Sequence, residues 1–161
     1  MSAASRKRAT WREKMEKPQE PRVVNVPPKM QRQFGEGRML IATPALVDQL
    51  MRKPSSGQLV TVNQIRERLA KDFGAESTCP LTTGIFVRIA AEAAEEHRHL
   101  GREDTTPYWR TLKADGSLIE KLPGGVAAQA RRLQEEGHTI EYRAGKRPPR
   151  VKDFENHLVG L

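Results

Sequence analysis

The sequence predicts an α+β fold, mainly helical, on three observations. Two helical patterns lie back to back between Thr61 and Leu100, joined by residues 75–79. A third follows Gly124-Gly125 and stops at Gly137, where glycine can take the left-handed conformation that ends a helix. Between them, residues 107–119 read as two short strands about Asp115-Gly116, a strong two-residue turn signal.

In order along the chain, residues 1–38 form a basic N-terminal arm, charged and proline-containing, with little to bury. Trp11 is its one large anchor, residues 11–17 can form a short helix, and Val23, Val24 and Val26 can lie extended on the domain. The folded part, 39–141, opens on an apolar entry at residues 39–41. Thr43-Pro44 then supplies an N-cap with proline at the first helical position, and Pro54 bounds that helix. Thr61 and Gln64 have capping-box spacing, and Ile65, Leu69 and Phe73 share a face that runs to Gly74. Pro80 opens the next helix, with Thr78 or Cys79 as its cap. Ile85, Ile89 and Ala93 share its buried face, with Phe86 and Ala90 alongside, and Gly101 is the stop.

These two helices read as a helix-turn-helix unit, whose second helix enters a DNA groove by its start. Thr82, Thr83 and Gly84 lie there and are small or polar enough for close approach. Residues 107–110 should run as a strand, since two rings behind a proline favour extended backbone. Thr111-Leu112 should then pair with Leu118-Ile119 as a small β-hairpin. Residues 142–161 read as a basic linker and a short C-terminal helix with Phe154, Leu158 and Leu161 on one side.

Charge and cysteine usage narrow the function. The net charge is +8, yet residues 1–38 hold 10 Lys/Arg against 4 Asp/Glu and residues 142–161 hold 5 against 2, so the folded part is close to neutral. Basic arms flanking a neutral domain suit a polyanion such as DNA, through counterion release, or simply keep a small domain soluble. No apolar run is long enough to cross a bilayer, and no secretory signal opens the chain. One cysteine, Cys79, excludes an internal disulfide and a cysteine-based zinc cluster. The expected setting is cytoplasmic, nucleoid-associated in a bacterium. His97 and His99 do not share a helix face, and with His138 and His157 they read as solvated surface residues. No metal and no cofactor is expected.

The richest stretch is 106–137. In order it holds Pro107, Arg110, Gly116, Gly124, Gly125, Leu133, Glu136 and Gly137. This set resembles the DNA-binding domain of the alkylguanine-DNA alkyltransferases, whose signature is Pro-Cys-His-Arg-Val, a short turn, Gly-Gly, and a helix closing with Leu-x-x-Glu-Gly. The resemblance covers roughly residues 57–141 and implies a winged-helix/helix-turn-helix domain. The family's acceptor cysteine corresponds to Tyr108 and its partner histidine to Trp109, as in alkyltransferase-like proteins that keep the lesion-binding domain and lack the nucleophile.

Chemistry agrees with that loss. A phenol with a pKa near ~10 is a poor alkyl acceptor, and an indole nitrogen only donates. No catalytic residue is therefore expected, and the protein is read as no enzyme. The resemblance implies a lesion pocket at Tyr108, Trp109, Gly124, Gly125 and Glu136, and DNA contacts at Thr82, Thr83, Gly84, Arg88 and Arg110. Either Tyr108 lines an open pocket, or the bulkier Tyr-Trp pair fills and closes it. The family's arginine wedge falls on Gly84, with Arg88 one turn on, and its nucleotide-turning tyrosine falls on Val62. The function expected is a monomeric, non-enzymatic DNA-binding protein that senses alkylated DNA for repair. The alternative is a winged-helix regulator or architectural protein without lesion recognition.

Overall fold

The structure is a computed structural model and describes residues 7–161. The first six residues of the predicted arm lie outside the described residues.

Local chemistry sets the helix starts. Thr10 caps α1 (Trp11–Glu16) and Thr43 caps α3 (Pro44–Met51), each accepting a backbone N–H with its side chain. The capping box is complete at α4 (Val62–Asp72): Thr61 accepts from Gln64 N, and Gln64 Oε1 accepts from Thr61 N. Proline opens α2 (Pro28–Phe34) and α5 (Pro80–His99). Cys79 precedes α5 without a side-chain cap and is buried against Val26 and Met39. Gly124, at φ +78°, turns the chain into α6 (Gly125–Glu135), and a Cβ there would meet the Ala128 methyl at 2.6 Å.

Three small sheets tie the helices together. β1 (Arg22–Asn25) runs antiparallel to β2 (Arg38–Ile41), with Val23 opposite Leu40, and β4 (Ser77–Thr78) joins β2 in parallel. β3 (Val60–Thr61) pairs in parallel with β5 (Thr111–Leu112), and β6 (Ile140–Glu141) pairs antiparallel with β7 (Arg150–Val151). The main core lies where α3, α4 and α5 meet over β2, around Leu40, Val47, Met51, Ile65, Leu69 and Val87. A second core packs α6 on β5, β6 and β7 through Leu112, Leu133, Ile140 and Val151, with Leu59 and Leu118 from the adjoining loops. Trp109 touches both. The N-terminal segment lies on this body: α1 packs on α5, where Trp11 N donates to Glu96 at 2.7 Å and Arg12 pairs with the same carboxylate at 2.9 Å.

Several expectations change. Tyr108–Arg110 is a single 3-10 turn, not a strand, with Arg110 N donating to Pro107 O at 3.1 Å. The Asp115-Gly116 turn forms, with Lys113 N donating to Ser117 O at 2.9 Å, but it closes no hairpin. β5 pairs with β3 instead, and Leu118 N donates to Pro149 O at 2.9 Å. Gly116 is required here: its φ is +83°, and a Cβ would sit 2.3 Å from the Phe154 ring. The buried face of α5 is Thr83, Val87, Ala90, Ala91 and Ala94, with Ile89 and Ala93. Its alanines let α1 and α3 approach closely, so Ile85 is rotated out to 57% exposure. Phe73, beyond the last turn of α4, is also exposed. The C-terminal segment docks through Phe154 and Leu158 on the second core and Leu161 on the main one, but as a 3-10 turn (Phe154–His157), not an α-helix.

Gln129 holds this irregular region together. It is buried on α6, accepts from Ile119 N at 2.8 Å, and donates to Trp109 O at 3.1 Å and Thr111 O at 2.9 Å. The two segments flanking the turn thus bond to one side chain instead of to each other. Gln129→Ala strands these backbone groups and should destabilise the protein by about 2–4 kcal/mol, read as a lower urea midpoint at unchanged slope.

Candidate functional site

Two surfaces carry the residues singled out in the sequence. The first surrounds the Tyr108-Trp109 pair. The 3-10 turn drives Tyr108 inward to 3% exposure, and its hydroxyl donates to Glu95 on α5. Burial, then that hydrogen bond and the carboxylate's charge, push the phenol above its ordinary range. Trp109 packs edge-on to Tyr108, centroids 5.6 Å apart. Its ring is flanked by Arg132, 4.4 Å from the centroid, and Arg110, 5.4 Å away. The pair therefore fills the position. The space that opens beside it, a cleft of about 420 Å³, is lined by Trp109, Arg98, Arg131, Arg132, Glu135 and Glu136, and Tyr108 is not part of its wall.

Arg110 and Glu136 are locked together. Arg110 donates to Glu136 through Nε at 2.8 Å and Nη2 at 2.7 Å, and through Nη1 to Pro54 O at 2.9 Å. Trp109 Nε1 adds a bond to Glu136 at 3.1 Å. Both partners are largely buried, so Arg110 has little to offer a phosphate. Burial alone would raise the Glu136 pKa, but the bonds from Arg110 and Trp109 and the Arg110 charge outweigh it and hold the carboxyl below its usual range. Gly124 and Gly125 form the left-handed entry to α6.

The second surface runs along the first half of α5. Thr83 is buried and its hydroxyl donates to Cys79 O at 2.6 Å, so it secures the helix start and does not face outward. Gly84 and Arg88 are exposed, beside Leu81 at 64% and Ile85 at 57% exposure. Thr82 is half-buried and also leans on Cys79 O. Gly84, Arg88, Leu81 and Ile85 line a groove of about 730 Å³ whose far wall is Ile119, Lys121 and Leu122 and whose end is Trp11 with Lys14. Arg88 lies over the Trp11 ring, 5.2 Å from its centroid, and makes no ion pair with Glu92 among the described residues. Lys14 lies on the same ring at 4.2 Å.

Sequence reasoning missed this groove. Leu81 and Ile85 are four apart like core residues, and only the packing of α5 reveals them as exposed. It also missed His138, which is buried with Nε2 unpartnered, edge-on to His157 at 5.0 Å. Burial and the His157 charge lower its pKa. Among the described residues no group of three metal-ligating side chains gathers, and no helix is long and apolar enough to cross a membrane.

No protein-family model and no curated protein matches the chain. Among solved structures it is similar to S. pombe Atl1, an alkyltransferase-like protein, in complex with damaged DNA containing O6-carboxymethylguanine. That likeness has 18% identity and a TM-score of 0.49, covering 73% of this chain and 94% of the other.

Glu136 has a depressed pKa in the folded state, so its pairing stabilises the protein above the ordinary carboxylate range and is lost as pH falls through the folded value. Glu136→Gln should cost roughly 3 kcal/mol at neutral pH by leaving Arg110 unpaired in a buried site. Urea titrations from pH 7 downward should show the gap to wild type closing below about pH 4.

Proposed function

We propose that the protein is a non-enzymatic DNA-binding protein of the alkyltransferase-like kind, docking a duplex against the groove along the first half of α5. In this reading α4 and α5 act as a helix-turn-helix unit. Residues 39–141 form the binding body, and the basic segments 1–38 and 142–161 flank it. The observation that carries the reading is the exposed face Leu81, Gly84, Ile85 and Arg88, ringed by Lys14 and Lys121. Gly84 admits a close backbone approach and Arg88 offers a phosphate contact. Leu81 and Ile85 supply apolar contact of the kind that minor-groove proteins press between base steps.

Three features support the absence of transfer chemistry. Tyr108 is buried with its hydroxyl donated to Glu95, and the carboxylate that would support a base is neutralised by Arg110. Cys79, the chain's one thiol, is buried. Incubation with a duplex carrying an O6-alkylguanine should therefore leave the intact mass unchanged. An alkyl adduct on Cys79 or Tyr108 would restore the enzyme reading.

The closed Tyr108 position favours a second reading, in which the same face binds plain duplex as a regulator or architectural protein does. In this reading a base turned out of the stack would be received by the α5 groove, whose floor is apolar. Fluorescence anisotropy with plain and alkylated duplexes separates the two. Arg88→Ala should weaken binding to both roughly three- to tenfold and lower the salt slope by about 1. Ile85→Ser should lower any preference for the alkylated duplex. Equal wild-type affinity for both duplexes sinks lesion sensing and leaves the architectural reading. No loss with Arg88→Ala rules the groove out as the DNA surface.

A further inference from the structure

The segment after β6 is not a free linker. β6 and β7 pair antiparallel, Ile140 opposite Val151, and residues 142–149 form the loop between them. Arg143 braces the loop from inside: Nε and Nη2 donate to Pro148 O at 3.0 and 2.8 Å, and Nη2 donates to Ser117 Oγ at 2.6 Å. Val151 N donates to Gly116 O at 3.0 Å and Lys152 N to Thr139 O at 2.9 Å, which fixes the base of the hairpin.

The charges on this hairpin divide into two sets. Arg143 lies 3.8 Å from Asp115 and Arg150 pairs with Glu141 at 2.9 Å, so these two are used internally. Lys146, Arg147 and Lys152 are exposed and make no ion pair among the described residues. The loop itself contains no carboxylate. Tyr142 stands beside it at 72% exposure with a free hydroxyl to donate. Holding cations on a braced loop keeps them close together and lowers the ordering cost of binding a polyanion.

Its position points to the partner. Leu118 N bonds Pro149 O in the hairpin, and the next residues, Ile119, Lys121 and Leu122, are the far wall of the α5 groove. The segment that forms the groove wall is thus hydrogen-bonded at its start to the root of the hairpin. We propose that the 140–151 hairpin is a second phosphate-binding element, in which Lys146 and Arg147 grip the backbone of the duplex that lies in the α5 groove. The inference rests on the duplex-binding reading above and extends the contact beyond the stretch 57–141 that carries the motif resemblance.

The test is duplex affinity across a salt series for the full chain. Each phosphate contact on B-DNA contributes about 0.9 to the slope of log affinity against log salt. Lys146→Ala/Arg147→Ala should therefore lower the slope by about 1.8, with unchanged circular dichroism. Lys53→Ala/Lys71→Ala, which removes the same charge elsewhere on the surface, should leave the slope at the wild-type value. If wild type binds and the hairpin variant keeps its slope, the hairpin inference falls and the groove reading stands. Equal losses in both variants reduce the effect to net charge and overturn the inference. A wild type that ignores duplex DNA, or binds anionic lipid vesicles instead, overturns both readings.

Discussion

The fold turns on the ion pair between Arg110 and Glu136. Arg110 follows the Tyr-Trp pair, Glu136 closes α6, and Pro54, which accepts the third arm of the guanidinium, lies in the loop between α3 and β3. One fork of donors thus pins three segments far apart in sequence. Burying two charges is costly unless their geometry is good and their remaining lone pairs are met. Here both carboxylate oxygens receive Arg110 Nε, Trp109 Nε1 takes part as well, and Gly57 N lies 3.4 Å from Oε1. Because the loss of one partner would leave the other stranded, the pair dictates local shape more than it adds stability. It also explains the 3-10 turn. Arg110 can reach Pro54 and Glu136 together when the chain at Tyr108 tightens, and a strand would carry its side chain to one face with even spacing.

The same constraint removes a catalytic possibility. A carboxylate held down by a guanidinium and an indole N–H is a weak base, and neither neighbour can relay a proton. Tyr108 is set by its own acceptor, Glu95, which also receives Arg98 and Arg132. Tyr108 and Trp109 meet edge-on and fill their surroundings with packing and hydrogen bonds, which makes the pair part of the core.

What could be read from the sequence was local. The Thr61–Gln64 box, the Thr43-Pro44 start, the glycine entry to α6 and the turn at Asp115-Gly116 each depend on residues within four of one another, and each formed. The failures that matter most for the surface were non-local. Whether Thr111-Leu112 pairs with 118–119 or with Val60-Thr61 is decided by Gln129, eighteen residues away from Thr111, and nothing in the turn announces it. Ile85 looked like core because its spacing is right. The helix rotated instead to bury a stripe of alanines, whose small size permits close helix approach at the expense of exposing larger neighbours. Whether the Tyr108-Trp109 pair lines an open pocket or fills it could not be read, since that depended on the inward turn of Tyr108.

These failures share a direction, and it bears on function. Ile85 turned out of the core beside the exposed Leu81, and Tyr108 drawn in, both shift accessible surface away from the Tyr108-Trp109 pair and toward the α5 groove. That edge gathers Lys14, Arg88 and Lys121 around an apolar floor, on a body whose net charge is close to zero. Cations on a near-neutral body produce a directed field, whereas the same charges spread evenly would produce only solubility. An apolar floor between them has no use in holding phosphates, and exposing two large aliphatic side chains costs hydrophobic stabilisation that a purely soluble surface has no reason to forgo. Under the proposed reading the cations would meet the phosphates of a duplex while the two aliphatic side chains press on the sugars or base steps between them.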